Sequence, residues 1–314
     1  MPTNDAKPAL ALYIHWPFCR QKCPYCDFNS HVSTTHDSTE FGAALCLEMS
    51  YMAEMLPERR ALTSIFFGGG TPSLMPPEVV GKIITHAEKT FGFAEKIEIT
   101  AEANPTSVEA KVMSEFHHAG VNRVSLGVQS LDRDILKVLG REHDVAEALS
   151  ALDTVRHSFD NLSIDLIYAT AGQSTKNWQK NLSQALSFDL PHLSLYQLTI
   201  EPGTVFYTRH RNGEILDLDN DHAADIFELT QQMTAAAGLP AYEISNHSKP
   251  GAQCQHNINY WQAGDWVGIG PGAHGRFTIA ANDYKNLQRV STATRRSPAG
   301  WLQAVQKIGH GIDT

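Results

Sequence analysis

The amino-acid sequence predicts an α/β fold organised around a parallel sheet. Six short apolar runs between residues 10 and 200 are rich in Ile, Val, Leu, Phe or Tyr, as buried parallel strands are. Segments of helical periodicity separate the runs, and strand followed by helix, repeated along the chain, indicates βαβ units. The alternation fits either a doubly wound sheet or a barrel, and spacing alone leaves both open.

The predicted elements alternate in chain order. The strands are Leu10–His15, Ser64–Phe67, Lys96–Ala101, Arg123–Val128, Leu162–Tyr168 and His192–Ile200. Asp37 or Ser38 can cap the first helix, whose apolar face is Phe41, Leu45, Met49, Met52 and Leu56. Further helices are predicted at about 77–90, 107–119, 132–139, 144–157 and 175–188.

The alternation breaks after residue 200, which divides the chain into a core at 1–200 and an appended α+β region at 201–314. The appended region is expected to pack on the core and not to form a clearly separate domain. Its predicted elements are a helix at 220–237, a strand at Tyr242–Ile244, a loop from His247 to Trp261, a Gly-rich segment at Gly268–Gly275 and a helix at 298–308.

The composition is that of a globular protein, since 42% of the 314 residues are hydrophobic and 19% are charged. The 34 acidic residues outnumber the 25 Lys and Arg, and the net charge of −9 disfavours nucleic acid as the main partner. No apolar run is long enough to span a membrane, and the N-terminus lacks the basic region of a secretory signal. We expect a cytoplasmic location, with peripheral membrane association at most.

Three clustered cysteines carry the strongest chemical signal. Cys19, Cys23 and Cys26 follow the first predicted strand, separated by three and then two residues. An ordinary electron-transfer iron–sulfur cubane takes four thiolates, so a cluster held here leaves one iron open. Cys46 and Cys254 are isolated, and the odd total argues against a disulfide framework.

Two other interpretations of these cysteines remain. Cys23 and Cys26 form a C-x-x-C pair like that of thioredoxin-like redox sites, although Cys19 then has no role. The cysteines can also form half of a zinc site, which needs a second ligand pair at short spacing. The cluster uses all three thiols.

Further distinctive residues fall where the predicted strands end. Gly68–Gly70 and Thr71 follow the second strand, Glu102 ends the third, Gln129 ends the fourth and Asp165 lies within the fifth. Ligands bind beyond the carboxyl ends of strands in open α/β sheets and barrels. Taken singly, the glycines predict a tight turn and each carboxylate an ion pair, but together at one rim they predict a binding site.

These motifs together resemble the radical S-adenosylmethionine (SAM) superfamily. The residues are Cys-x-x-x-Cys-x-x-Cys after Tyr-Ile-His-Trp-Pro-Phe, then Phe67-Gly-Gly-Gly-Thr-Pro72. Within the superfamily the chain resembles the oxygen-independent coproporphyrinogen III oxidase branch and, there, the HemW-type heme chaperones. Asp27 stands where the oxidases carry a further cysteine, and His256-Asn-Ile-Asn-Tyr-Trp261 matches the pattern HNxxYW. The resemblance covers the chain from about residue 10 and implies a partial (β/α)6 radical-SAM barrel.

The resemblance also implies a role for individual residues. Cys19, Cys23 and Cys26 become ligands of a [4Fe-4S] cluster, with SAM on the fourth iron. Residues at positions that contact SAM in the oxidases are Tyr13, Gly69, Gly70, Thr71, Glu102, Gln129, Arg141 and Asp165. In the oxidases some of those contacts serve a second SAM molecule. The predicted role of Gln129, Arg141 and Asp165 in SAM binding therefore depends on whether one or two SAM molecules bind.

The HNxxYW stretch implies a heme site formed by His256, Asn257, Tyr260 and Trp261. His256 is a candidate axial iron ligand, and the two aromatic rings offer flat apolar surface to a porphyrin. Spacing alone favours a loop whose aromatics pack under the barrel while His256 bonds to backbone. The other candidates for heme contact are His247, Cys254 and His274.

The function implied is that of a heme chaperone that binds a cluster, SAM and heme and passes heme to respiratory membrane proteins, without oxidase activity. The alternative is radical SAM decarboxylation of coproporphyrinogen III, and radical modification of tRNA is disfavoured by the acidic charge. Two departures from the relatives stand out. Ala169-Thr-Ala-Gly-Gln173 replaces their Gly-Leu-Pro-Gly-Gln, and the family's small C-terminal helical domain is expected to be largely absent.

Overall fold

The computed structural model describes residues 9–33, 35–214, 219–280 and 287–313. Its elements in chain order are β1 (Leu10–Trp16), β2 (Phe18–Cys19), β3 (His31–Val32), α1 (Ser38–Glu54), β4 (Leu62–Gly69), α2 (Pro77–Phe91), β5 (Phe93–Ala103), α3 (Ser107–His118), β6 (Arg123–Gln129), α4 (Arg133–Val138), α5 (Val145–Arg156), β7 (Leu162–Tyr168), α6 (Thr175–Leu186), β8 (His192–Gln197), α7 (Val205–Arg211), α8 (Asn220–Ala236), β9 (Asn246–Ser248), α9 (Gln255–Trp261), β10 (Asp265–Ile269), β11 (His274–Ala280), β12 (Leu287–Ala293) and α10 (Pro298–Ile308). Pro72–Leu74 forms a short 3-10 turn after β4.

The predicted parallel sheet is confirmed. Strands β1, β4, β5, β6, β7 and β8 lie side by side in chain order and pair in parallel. The chain passes through at least one helix between each strand and the next. A doubly wound sheet reverses its strand order at a switch point, and this run does not, so the arrangement is a partial barrel.

Residues after 200 extend the same sheet at both ends. β9 pairs antiparallel with β8, and β10 pairs in parallel with β1, which places Leu10 opposite Asp265 and Ile14 opposite Ile269. β11 and β12 continue antiparallel beyond β10, which completes a ten-stranded sheet. The 201–314 region and the 1–200 core therefore share one sheet, and β1 is an inner strand.

The predicted strand at Tyr242–Ile244 is wrong, because these residues enter a turn. The Glu243 carboxylate accepts hydrogen bonds from the Ser245 backbone N–H and the Asn246 side-chain amide, and β9 begins only at Asn246. The predicted Gly-rich segment at Gly268–Gly275 contains the end of β10 and the start of β11. A side chain at Gly268 would clash with the His274 carbonyl oxygen, so glycine permits this close approach.

The predicted loop from His247 to Trp261 contains a helix, α9. Its N-cap residue is Cys254, whose side chain makes no capping hydrogen bond. The carboxylate of Glu98 in β5 replaces that cap, since it accepts from the backbone N–H groups of Gln255 (3.0 Å) and His256 (3.2 Å). A side chain more than 150 residues away thus starts the helix, which local sequence patterns cannot reveal.

A buried carboxylate in α1 fastens the C-terminal segment to the core. Glu48 accepts hydrogen bonds from the backbone N–H of Gly270 (2.8 Å), the indole N–H of Trp301 (2.9 Å) and the backbone N–H of Gly311 (2.6 Å). Burial raises the pKa of Glu48 to about 7 in spite of these three donors. The α1 helix, the β10–β11 turn, α10 and the segment that follows it therefore meet at one side chain.

Candidate functional site

The three clustered cysteines lie on one wall of a cavity at the carboxyl end of the barrel. Cys19 ends β2, and Cys23 and Cys26 lie in the loop that leads to β3. All five cysteines of the chain are free. A turn closed by the Cys26 N–H and the Cys23 carbonyl oxygen (3.0 Å) brings these two thiols round toward the cavity.

Each of the three thiols has a polar neighbour. The hydroxyl of Thr71 donates to Cys19 Sγ (3.4 Å), the guanidinium of Arg141 donates to Cys23 Sγ (3.3 Å), and Cys26 Sγ lies 3.7 Å from the Ser30 hydroxyl. Burial raises the pKa of the Cys19 and Cys26 thiols, and the hydrogen bonds from Thr71 and Ser30 oppose that rise. Such donors stabilise thiolates, which are the form that binds metal.

This donor set suits a cluster better than a single ion. Among the residues that the structure describes, no three His, Cys, Asp or Glu side chains converge closely enough to hold one metal ion. The thiolates of a cubane cluster each bind a different iron, so they stand farther apart than the ligands of one zinc. Three hydrogen-bonded thiols around a common cavity fit a cluster with one iron left open.

The cavity beside the cysteines has a volume of ≈ 500 Å³, within the range of ligand pockets. It brings together every predicted cluster and SAM residue except Tyr13: Cys19, Cys23, Cys26, Gly69, Gly70, Thr71, Glu102, Gln129, Arg141 and Asp165 line it. The strands are parallel, so their carboxyl ends meet at one rim, as expected. Tyr13 lies instead in a neighbouring cavity.

Glycine is required at positions 69 and 70 for two different physical reasons. Gly69 adopts a φ of +111°, a backbone conformation that side chains rarely allow, and its N–H donates to Glu102 Oε2 (3.3 Å). A side chain at Gly70 would put its Cβ 2.7 Å from the Phe18 carbonyl oxygen. Gly70 N–H also donates to the Trp16 carbonyl oxygen (2.7 Å), so this glycine seats the β4 turn against the cysteine loop.

Two buried carboxylates, Glu102 and Asp165, line the first cavity and interact electrostatically. Burial, followed by the negative charge of Asp165, raises the pKa of Glu102 to about 8. Burial likewise raises the pKa of Asp165, although the Ser125 hydroxyl donates to its Oδ1 (2.8 Å) and opposes the rise. Two acids kept close together with one largely protonated near neutral pH are suited to receive a cationic ligand.

Arg141 links the cysteine loop to the strand ends. Besides Cys23, its guanidinium donates to Asn104 Oδ1 (2.6 Å) and to the Gly127 carbonyl oxygen (3.1 Å). Asn104 in turn donates to the Thr71 hydroxyl (3.3 Å). Asn104 and Ser30 had no individual role in the predicted site, although Asn104 lies two residues after Glu102 at a strand end.

A second cavity, of ≈ 630 Å³, adjoins the first and shares Gly69, Glu102, Asp27 and Phe28 with it. The residues that line only this cavity are Tyr13, His15, Asn29, Tyr260, Trp266, Gly272, His274 and Arg296. The Tyr260 and Trp266 rings meet edge to face, 4.7 Å between centroids. Burial, and then the negative charge of Glu102, raises the pKa of Tyr13, whose hydroxyl lies 3.0 Å from His15 Nδ1.

The HNxxYW residues occupy different environments on α9. His256 is only 2% exposed, with Nδ1 3.1 Å from the Ser64 hydroxyl and Nε2 2.7 Å from the Tyr260 hydroxyl. Burial lowers the pKa of His256 to about 3. The side-chain amide of Asn257 donates to the Tyr242 hydroxyl, whereas Trp261 is 58% exposed. His256 thus bonds to side chains inside the barrel, and of the four predicted heme residues Tyr260 lines the second cavity.

A buried polar layer beneath the two cavities escaped the sequence analysis. Arg123 is almost fully buried, and although burial acts to lower its pKa, the negative charge of the nearby Glu98 carboxylate helps to raise it. His192 bonds to the Ser163 hydroxyl (2.8 Å) and the Tyr242 hydroxyl (2.9 Å). The only signal in the sequence is a charged or polar residue at every second position of the predicted strands.

None of the helices in the described ranges is both long and apolar enough to cross a membrane.

Comparison with known proteins identifies the family. Residues 13–184 match the family model of the radical SAM superfamily. The heme chaperone HemW of Escherichia coli is 42% identical over 300 residues, which cover 94% of this chain and 76% of that protein. The zebrafish (Danio rerio) mitochondrial protein named radical S-adenosyl methionine domain-containing protein 1 is 35% identical over 302 residues, 96% of this chain and 67% of that one.

A solved structure shares the fold. The coproporphyrinogen III oxidase HemN of Escherichia coli, a radical SAM enzyme, superimposes with a TM-score of 0.77 over 98% of this chain and 71% of that chain, at 22% identity. The partial radical SAM barrel predicted from the sequence is therefore confirmed. By its matched residues and its relatives, the chain belongs to the radical SAM superfamily and, within it, to the HemW family.

Proposed function

We propose that this protein is a heme chaperone that holds a [4Fe-4S] cluster and SAM in the first cavity and heme beside it, and that it passes heme to respiratory hemoproteins. The observation that carries the proposal is the meeting of three hydrogen-bonded thiols with the predicted SAM residues around one cavity. The name of the Escherichia coli relative supports heme as the cargo. The predicted location is the cytoplasm, where thiols stay reduced.

Different residues of the first cavity would bind the cluster and SAM. Cys19, Cys23 and Cys26 ligate the cluster, while Thr71 and Arg141 stabilise the thiolates through the hydrogen bonds described above. A bound cluster would leave one iron open to SAM and, once reduced by an external electron donor, would supply the electron that cleaves a C–S bond in SAM. The backbone of Gly69 and the carboxylates of Glu102 and Asp165 line the space where SAM, which is a cation at its sulfur, lies.

The cluster is tested by substitution of one ligand. The wild-type protein, supplied anaerobically with iron and sulfide, is expected to show broad absorption near about 400 nm, as such clusters do. Cys19→Ser should lose most of this absorption and of the bound iron. Cys46→Ser is the matched control, because Cys46 lies outside the cavity, and it should bind as much iron as the wild type. Retention of the cluster by Cys19→Ser would contradict the assignment.

Heme binding is tested by titration of the reconstituted protein. We expect a saturable Soret change, and we expect no conversion of coproporphyrinogen III when SAM and a reductant are added. Conversion of that substrate would favour the oxidase instead. The same experiment with an assay for 5′-deoxyadenosine measures whether SAM is cleaved.

A further inference from the structure

The second cavity contains chemistry that SAM binding does not explain. Trp266 and Tyr260 form an aromatic corner, and the indole N–H of Trp266 donates to the backbone carbonyl oxygen of His274 (3.0 Å), which fixes the start of β11 at this wall. The His274 side chain is exposed, and across the described residues no hydrogen bond or ion pair engages its imidazole. The cavity therefore presents an uncommitted imidazole beside flat aromatic rings.

A cationic group stands at the same cavity. Arg296 lines it and is exposed, and in the described part of the chain no carboxylate pairs with its guanidinium. The Arg296 backbone is held in place, because its carbonyl oxygen accepts from the Asn29 side-chain amide (2.9 Å), which also donates to the Pro271 carbonyl oxygen (2.9 Å). The guanidinium of Arg296 can therefore bind an anion, and its backbone is anchored close to the end of the cysteine loop.

His256, by contrast, has no nitrogen to offer in this conformation. Both ring nitrogens lie within hydrogen-bond distance of hydroxyl groups, and the ring packs 5.1 Å from Phe66 and 6.3 Å from Tyr13 between centroids. Coordination of iron would break the bond to Tyr260 or to Ser64 and bring the metal into the barrel core. The structural role of this histidine is to hold α9 against β4.

We propose that the second cavity is the heme pocket and that His274, not His256, ligates the heme iron, with Arg296 binding a propionate. This inference rests on the proposed function, since it assumes that the protein carries heme. Heme is a flat apolar ring with a metal at its centre and two carboxylates on one edge, and it needs one imidazole, aromatic walls and a cation. The cavity supplies these from His274, Tyr260 and Trp266, and Arg296.

The position of the pocket sets the geometry of the complex. The cavities share Gly69 and Glu102, so heme in the second cavity would lie next to the cluster and SAM site. HNxxYW then contributes through Tyr260 at the wall, and through His256 as the residue that positions Tyr260. Loss of His256 weakens heme binding indirectly.

The test compares two porphyrins on the reconstituted protein. Heme and metal-free protoporphyrin IX are titrated into the wild type, His274→Ala, His256→Gln and Arg296→Ala. His118→Ala, an exposed imidazole on α3, and Arg295→Ala, the neighbouring arginine, are matched controls. Circular dichroism and denaturation midpoints establish that each variant is folded.

The expected results separate the iron ligand from the pocket. His274→Ala should weaken heme binding about 10- to 100-fold, at least the loss seen when a metal ligand loses its orienting partner, and leave protoporphyrin IX binding unchanged. Added imidazole should restore the spectrum of the bound iron. Arg296→Ala should weaken both porphyrins, and His256→Gln should keep the iron spectrum of the wild type.

Three outcomes would overturn the inference. If His256→Gln loses the imidazole signature of the iron while His274→Ala keeps it, the ligand is His256. If the wild type binds neither porphyrin saturably, heme is not the cargo, and the proposed function fails together with this inference. Unchanged heme binding by all variants would place heme elsewhere and leave the proposed function intact.

Discussion

Glu102 stands at the boundary between the two cavities and holds a proton that a free glutamate would release. Its carboxylate accepts the Gly69 N–H and lies near Asp165, and burial with that neighbouring charge raises its pKa to about 8. An unfolded chain would return this pKa to its ordinary value near 4.5. The folded state therefore binds an extra proton between these two pH values.

The sign of the pH dependence follows from that proton. The folded state binds more protons than the unfolded state, so the free energy of unfolding falls as pH rises from about 4.5 towards about 8. Glu102→Gln removes the titration. Between pH 6 and pH 8 the wild type should lose about 2 kcal/mol more stability than this variant, in urea unfolding of the cluster-free protein.

Glu95→Gln, at an exposed position of the same strand, is the control and should follow the wild type. If Glu102→Gln and the wild type respond alike to pH, the carboxyl is ionised throughout.

At the scale of single residues, the sequence indicated the site through uncommon residue types and through residues at the ends of predicted strands. The three clustered cysteines and the Gly68–Gly70 run stand out in the sequence. Gln129 was predicted because it ends a strand, and ligands bind at the carboxyl ends of barrel strands; it lines the same cavity. Asn104 and Ser30 were not predicted, because each acts through a hydrogen bond to a distant partner. Ordinary residue types reveal such roles only once the fold brings the partners together.

At the scale of elements, periodicity predicted the barrel strands and their helices to within a few residues, because each buries an apolar face that repeats along the chain. It failed where distant groups decide the local conformation. α9 begins on the Glu98 carboxylate, and β10 is held by the buried ion pair of Asp265 with Arg60 (2.6 Å). Neither interaction leaves a short-range pattern.

The dependence of α9 on Glu98 can be measured. Glu98→Ala removes the acceptor for two backbone N–H groups and the Cys254 thiol, and it leaves the buried His256 N–H and the buried thiol unsatisfied. Hydrogen bonds to charged groups are worth about 1.5–3 kcal/mol each at most, and we expect the free energy of unfolding to fall by about 3 kcal/mol.

Glu95→Ala, exposed on β5, should change it by less than about 0.5 kcal/mol. Equal stability of the two variants in denaturant titrations would show that α9 forms without the cap.

At the scale of the whole molecule, the ten-stranded sheet joins the 1–200 core to the 201–314 region. β10 borders β1, β9 borders β8, and Glu48 ties α1 to Trp301 and Gly311. The division at residue 200 predicted from the sequence reflects a change in pattern along the chain, since the strand and helix alternation stops there. The folded molecule continues its sheet across that point.

We therefore expect the wild type to unfold in a single denaturant transition. Glu48→Ala should shift the whole transition by about 3 kcal/mol, because three hydrogen bonds to a buried carboxylate are lost. Glu54→Ala, exposed at the end of the same helix, should leave it in place. Two transitions in fluorescence and circular dichroism, only one of them moved by Glu48→Ala, would show that residues 201–314 fold on their own.

The side chain that divides the two cavities has a consequence for the order of loading. Glu102 lines both cavities. A ligand that changes the charge or position of this carboxylate in one cavity therefore changes the binding affinity of the other cavity. Thermodynamic linkage makes the effect mutual: if SAM raises the affinity for heme by some factor, heme raises the affinity for SAM by the same factor. If the proposed function holds, the affinity for heme should therefore differ between the SAM-bound and the SAM-free protein.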